Sequence, residues 1–160
     1  MIHIHQGISA LSAFKTKALQ SKISKAQSNL TLLAAEFIHF ADLNNTLNQE
    51  QAEHLNKLLS YTDELTVDNP HSSIIVIPRL GTISPWSSKA TDIVHLCDIH
   101  QINRIERAIV YHFDAQITNH AEVLNAIMDK MTESELTSID DAHTIFDNFE
   151  PQPFNSVDIL

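Results

Sequence analysis

What most constrains this chain is a repeated order of elements, marked by its only two glycines. Gly7 and Gly81 each follow a strand-like run and precede a helical one, and they lie 74 residues apart. Before Gly7, Met1–Gln6 alternates with Ile2 and Ile4 on one side, the two-residue period of a strand. After it, Ser9 is the predicted N-cap of a helix of about 18 residues with Leu11, Phe14, Ala18 and Leu19 facing inward. LTLLAAEFIHF (30–40) reads as a strand, although Ala34 and Ala35 blur that assignment. DLNNTLNQEQ reads as a turn with a capping sequence, and Leu55, Leu58 and Leu59 line the helix that follows.

The second half repeats the order. SIIVIP is a buried strand closed by Pro78. A helix is expected over about 87–98 with Ala90, Ile93, Val94 and Cys97 on one face, then a strand over 104–117. A helix over 119–131 carries Val123, Leu124, Ile127 and Met128, and a short strand is expected near 136–139. IHF (38–40) and YHF (111–113) occupy the middle of the corresponding strands, 73 residues apart. The pattern predicts an α+β fold of two related subdomains, each an antiparallel sheet with helices on one face, packed as a pseudo-dimer.

Composition bounds the function. No apolar run approaches the length of a membrane span, and MIHIHQG has the features of no signal peptide. One cysteine, Cys97, excludes an internal disulfide framework and fits a reducing, cytoplasmic setting. A net charge of −10 argues against nonspecific nucleic-acid binding. Lys15, Lys17, Lys22 and Lys25 stand in a first segment without acids, either a solvated helix surface or a docking face.

GTISPWSSKATD (81–92) concentrates rare residue types: a glycine, the only tryptophan, and Thr82, Ser84, Ser87 and Ser88 ahead of Lys89. It is not a phosphate-binding Gly-Lys-Ser/Thr loop, since no second glycine precedes Lys89. Nor is it an S-x-x-K nucleophile, since Trp86 stands three residues before Lys89. Ser84 can cap, and Pro85 suits the first helical position. Two readings stay open: a capped helix with Trp86 in the core, or a helix start that binds an anion or partner beside Arg79 and Lys89. Other chemistry is weaker. His3, His5, His95, Cys97 and His100 lack the convergent pairs of a zinc site. Cys97 falls on an apolar stripe, where a nucleophile is not expected. Asp140, Asp141, Asp147 and Glu150 have no calcium-loop spacing.

PRLGTISPWSSKATDIVHLC (78–97) resembles the signature of the N-terminal region of large-type phosphoribosylformylglycinamidine synthase. GISALSAFK (7–15), AEFIHFADLN (35–44), INRIERAIVY (102–111) and PFNSVDIL (153–160) fall in that family's order and spacing, so the resemblance spans nearly the whole chain. It implies the first domain of a much longer ATP-dependent glutamine amidotransferase ligase of purine biosynthesis. That enzyme makes formylglycinamidine ribonucleotide from formylglycinamide ribonucleotide, ATP and glutamine. The family's domain is similar to a fused dimer of the small PurS subunit, which implies two ferredoxin-like subdomains at about 1–79 and 80–150. Residues 151–160 would begin a linker to a synthetase domain.

The role implied is accessory: docking on the synthetase and glutaminase portions, shaping the active site and assisting ammonia transfer. The 160 residues alone are expected to be inactive and to hold no cofactor or metal, with ATP and Mg²⁺ bound elsewhere in the enzyme. Arg79, Thr82, Ser84, Trp86, Ser87, Ser88, Lys89, Thr91 and Asp92 would face the synthetase close to its substrate cleft, either holding a loop there or contacting the substrate phosphate, with Trp86 as apolar anchor. The rival is a free-standing adaptor or anion-binding module. Pairing as a homodimer through a strand edge or the face around Trp86 is open to the isolated chain. No nucleic-acid or membrane partner is implied.

Overall fold

The chain runs β1 (Ile2–Ser9), α1 (Ala13–Ala26), β2 (Leu32–Leu43), α2 (Gln49–Leu59), β3 (Ser72–Pro78), α3 (Pro85–Leu96), β4 (Ile102–Phe113), α4 (His120–Ile127) and β5 (Glu133–Leu136). A 3-10 turn (Ile139–Asp141) and α5 (Thr144–Asp147) follow. These elements belong to a computed structural model that describes residues 1–67 and 69–147. PFNSVDIL and the expected linker at 151–160 lie outside the described residues, as does Glu150.

The fold is α+β. Five antiparallel strands form one sheet in the order β1-β2-β4-β3-β5. The strands of the two halves thus share a sheet, and β2 and β4 pair along its middle from Leu32↔Phe113 to Leu43↔Ile102. Alternation sets the two faces. Ala35, Ala41, Ile105 and Tyr111 point toward the helices, where Ile23, Val123 and Ile127 close one end of the core and Leu55, Leu59 and Val94 the other. On the opposite face Ile38, Phe40, Ala108 and Val110 pack under Leu136, Ala142 and Ile145. The helices α1 to α4 therefore lie on one face and the short α5 on the other, consistent with ferredoxin-like packing.

Several local expectations shift. Gly7 lies inside β1, not in a turn: it sits at φ +99° where the β1–β2 register slips between Gln6 and Ile8. A bulge of this kind tolerates the positive φ that glycine alone adopts without strain. The bulge carries β1 on to Ser9, so the N-cap is Ser12, whose side chain accepts from the Lys15 amide. The apolar stripe of α1 turns accordingly: Phe14 is 81% exposed, and Ile23 is the residue the helix buries. The Asn48 cap forms a reciprocal capping box with Gln51, as the sequence suggests. The strand expected over 104–117 spans 102–113, and the helix expected over 119–131 ends at Ile127. The last strand is Glu133–Leu136 and meets the expected 136–139 only at Leu136.

Candidate functional site

The site grows from a mismatch in strand length. β3 pairs with β4 only from Ser72↔Phe113 to Val76↔Ile109, while its other edge pairs with β5 from Ile75 to Pro78. The first half of β4 keeps an open edge, and α3 closes it with side chains. Ser87 Oγ donates to the Ile105 carbonyl, and Thr91 Oγ1 accepts from the Ile105 amide at 3.1 Å. Ser84 caps the helix by accepting from the Ser87 amide at 3.0 Å, and Pro85 takes the first helical position. Ser84, Ser87 and Thr91 recur at helical spacing, so one face of α3 carries all three hydroxyls. They take the place of a strand.

That edge also holds a buried ion pair. Arg104 Nη2 donates to Glu106 Oε2 at 2.6 Å, and Glu106 is fully buried. Glu106 accepts further from Ser84 Oγ at 2.7 Å, from the Ser84 amide at 3.3 Å and from the Arg107 amide at 3.1 Å. Arg104 reaches Ser87 Oγ at 3.1 Å and the Thr82 carbonyl at 3.2 Å, and its guanidinium lies 5.3 Å from the centre of the Phe146 ring. The anion position at the start of α3 is therefore filled from within, by Glu106.

The nine residues singled out from the sequence divide. Ser87 is enclosed and Thr91 is half-buried, both engaged with β4. Thr82 donates its hydroxyl back to the Arg79 carbonyl within the turn at Gly81, where φ is +84°. Arg79, Ser88, Lys89 and Asp92 are exposed. Trp86 is half-buried, packed beside the Leu55–Val94 cluster.

Trp86 leads to a group that the sequence reading missed. The Arg107 guanidinium lies between two rings, 4.7 Å from the Trp86 centroid and 4.5 Å from that of Phe37. Its Nη1 donates to Tyr61 Oη at 3.0 Å, and His39 Nε2 lies 2.8 Å from the same oxygen. His39 is fully buried, and its pKa is pushed down to about 3 by that burial, with the positive charges of His5 and Arg107 adding to the shift. A neutral His39 accepts the Tyr61 proton, which leaves the phenol oxygen free to accept from Arg107. Three elements (β2, α3 and β4) and the loop after α2 supply this group, so no short motif carries it. The one local signal is an arginine at the inward position between Ile105 and Ile109.

Two openings flank Trp86. The larger, about 510 Å³, lies where β3 leaves β4 and is lined by Val76, Arg79, Trp86, Arg107, Ile109 and Met131 among others. The smaller, about 230 Å³, runs between α2 and α3 past Leu58, Tyr61, Lys89 and Ile93.

The histidines first weighed as metal ligands have other partners. His3 Nε2 meets Asn56 at 3.2 Å, His5 meets Ser60 at 3.1 Å, and His95 donates to the Ile102 carbonyl at 2.7 Å. His100 lies 3.5 Å from Asp98 at the surface. Among the described residues, no three His, Cys, Asp or Glu side chains converge on one point. Cys97 is half-buried at the C-cap of α3, its amide donating to the Ile93 and Val94 carbonyls. No helix among the described residues is long and apolar enough to cross a membrane.

Residues 36–146 match the family described as formylglycinamide ribonucleotide amidotransferase N-terminal. The chain belongs to that family. The match runs from within β2 to within α5 and contains all nine residues from the 79–92 segment together with Arg107, Tyr61 and His39. The amidotransferase N-terminal family ties the chain to phosphoribosylformylglycinamidine synthase and to purine biosynthesis, and the signature segment 78–97 lies inside the match.

Proposed function

We propose that this amidotransferase N-terminal domain is an assembly element, docking on the synthetase portion of the same polypeptide and helping to shape its active site for ammonia delivery. One observation carries the reading. Along the outer side of α3 and its leading turn, Leu80, Ile83, Ile93 and Leu96 are 44, 39, 46 and 84% exposed, interspersed with Arg79, Lys89 and Asp92. Isolated exposed apolar residues are ordinary, but a run of them along one element with charges between them is what an interface presents. The hydroxyls of the same segment hold α3 to β4, so the helix is a rigid support for that face. On this reading the glutaminase nucleophile and the ATP and Mg²⁺ sites belong to the remainder of the enzyme.

The test is reconstitution. The 160-residue chain, mixed with enzyme lacking its N-terminal region, should restore glutamine-dependent amidine formation, and the Leu96→Asp chain should fail to do so while folding normally. Lys89→Ala in the intact enzyme should lower synthetase turnover with glutamine hydrolysis preserved. Equal rescue by Leu96→Asp and wild type, together with unchanged turnover in Lys89→Ala, would overturn the proposal.

A further inference from the structure

We infer that the cleft beside Trp86 is a binding site for a small organic anion, with Arg107 taking its carboxylate or phosphate and the apolar wall taking its body. The chain has 20 acids against 10 lysines and arginines, so an arginine left without a carboxylate is notable. Among the described residues neither Arg79 nor Arg107 forms an ion pair, and both line the same cleft. Two acids line it as well. Glu106 is engaged by Arg104, Ser84 and the Arg107 amide, and so does not neutralise the Arg107 side chain. Glu133 accepts from the Asp129 amide at 2.9 Å.

Arg107 is held ready. Phe37 and Trp86 fix the plane of the guanidinium, and Tyr61, backed by His39, fixes its rotation by engaging Nη1. Nε and Nη2 have no partner among the described residues, and an adjacent pair of guanidinium N–H groups matches the two oxygens of a carboxylate or phosphate. Holding the fork in place before binding lowers the ordering cost of the complex. Val76, Ile109, Met131 and the Trp86 ring give the remainder of the cleft an apolar lining, and about 510 Å³ lies within the size range of small-molecule sites. A ligand of this class is a flat or compact apolar body bearing one oxyanion. The helix start beside the cleft plays no part, since Glu106 already occupies it.

Trp86 is the only tryptophan, so its fluorescence reports on the site directly. The 160-residue chain at low salt would be titrated with phenyl phosphate and with phenylacetate, and with phenylacetamide and inorganic phosphate as controls. Because no other domain is present, the result is independent of the docking proposal. A saturable change is expected with at least one of the two organic anions, and their relative affinities identify which oxyanion the site prefers. Arg107→Lys keeps the charge but loses the fork and should bind about tenfold more weakly, while Tyr61→Phe should weaken binding less. Glu133→Gln should strengthen it. The inference is overturned if neither anion gives saturation, if phenylacetamide responds equally, if inorganic phosphate binds as tightly as phenyl phosphate, or if Arg107→Lys binds like wild type.

Discussion

Ser87→Ala separates a structural from a presenting role for the 81–92 segment more sharply than any other single change. Ser87 has no exposed surface, and its Oγ bridges the Ile105 carbonyl and Arg104 Nε. Alanine removes the oxygen without changing buried apolar area, so the cost is that of two abandoned groups. A buried carbonyl without a donor costs about 1–3 kcal/mol, and a lost hydrogen bond to a charged group about 1.5–3 kcal/mol. Arg104 keeps Glu106 and the Thr82 carbonyl, which lightens the second loss. The expected destabilisation is about 2–4 kcal/mol. Ser88→Ala, one residue along and exposed, should stay within about 0.5 kcal/mol. Urea unfolding followed by far-ultraviolet circular dichroism, with equal slopes for all three proteins, measures both. A Ser87→Ala protein within 0.5 kcal/mol of wild type would refute the view that this hydroxyl stands in for a strand.

Two further outcomes follow from the buried charges and the buried histidine. Glu106→Leu alone removes the carboxylate that Arg104 engages at 2.6 Å and the acceptor of the Ser84 hydroxyl and the Arg107 amide, and should cost about 3–5 kcal/mol, whereas Glu106→Leu with Arg104→Met should recover much of the loss; a double mutant worse than the single would contradict this. Burial pushes the pKa of His39 down to about 3 from 6.5, so the unfolded chain takes up a proton that the folded chain refuses. Stability should fall as pH drops below about 6.5, by roughly 2 kcal/mol at pH 5 from this group alone, and level off below about 3. In His39→Phe that part of the acid loss should vanish, and an unchanged pH dependence of urea unfolding would count against it.

Much of the fold is legible in local chemistry. Ser84 before Pro85, the capping sequence within DLNNTLNQEQ and the unbroken SIIVIP run each allow one conformation at low cost, and each forms as read, the cap falling on Asn48 with Gln51. Ser9 misled because its capping chemistry is equal to that of Ser12. What decides between them is the bulge at Gly7, which belongs to the pairing with β2 and leaves no mark in sequence. The 81–92 segment shows the same limit. Its hydroxyls look like a presented surface until helical spacing is applied from Ser84, which turns Ser87 and Thr91 inward and Ser88, Lys89 and Asp92 outward. Even then the reason for two inward hydroxyls is the short reach of β3, a long-range fact. Phe37, His39, Tyr61, Trp86 and Arg107 meet only because the sheet and α3 bring distant segments together.

The open edge of β4 has a counterpart that bears on the repeat more strongly than the few matching residues do. β1 covers β2 only from Glu36 onward, so the start of β2 is also left without a strand. There α1 supplies the missing partner: Gln20 Oε1 accepts from the Leu32 amide at 2.7 Å, as Thr91 Oγ1 of α3 accepts from the Ile105 amide at 3.1 Å. Each helix begins at a serine cap, Ser12 or Ser84, and delivers its side chain two turns later to the strand that follows. A long amide in one half and a short hydroxyl in the other do the same work, because α3 approaches its strand closely enough for Ser87 to join in. Identity scoring sees Gln against Thr and finds no relation. The shared requirement is an unpaired backbone amide at the start of the second strand, and it follows from first strands too short to cover their neighbours. Two halves that meet that requirement from the same helical turn are alike in the geometry that determines how each closes its core.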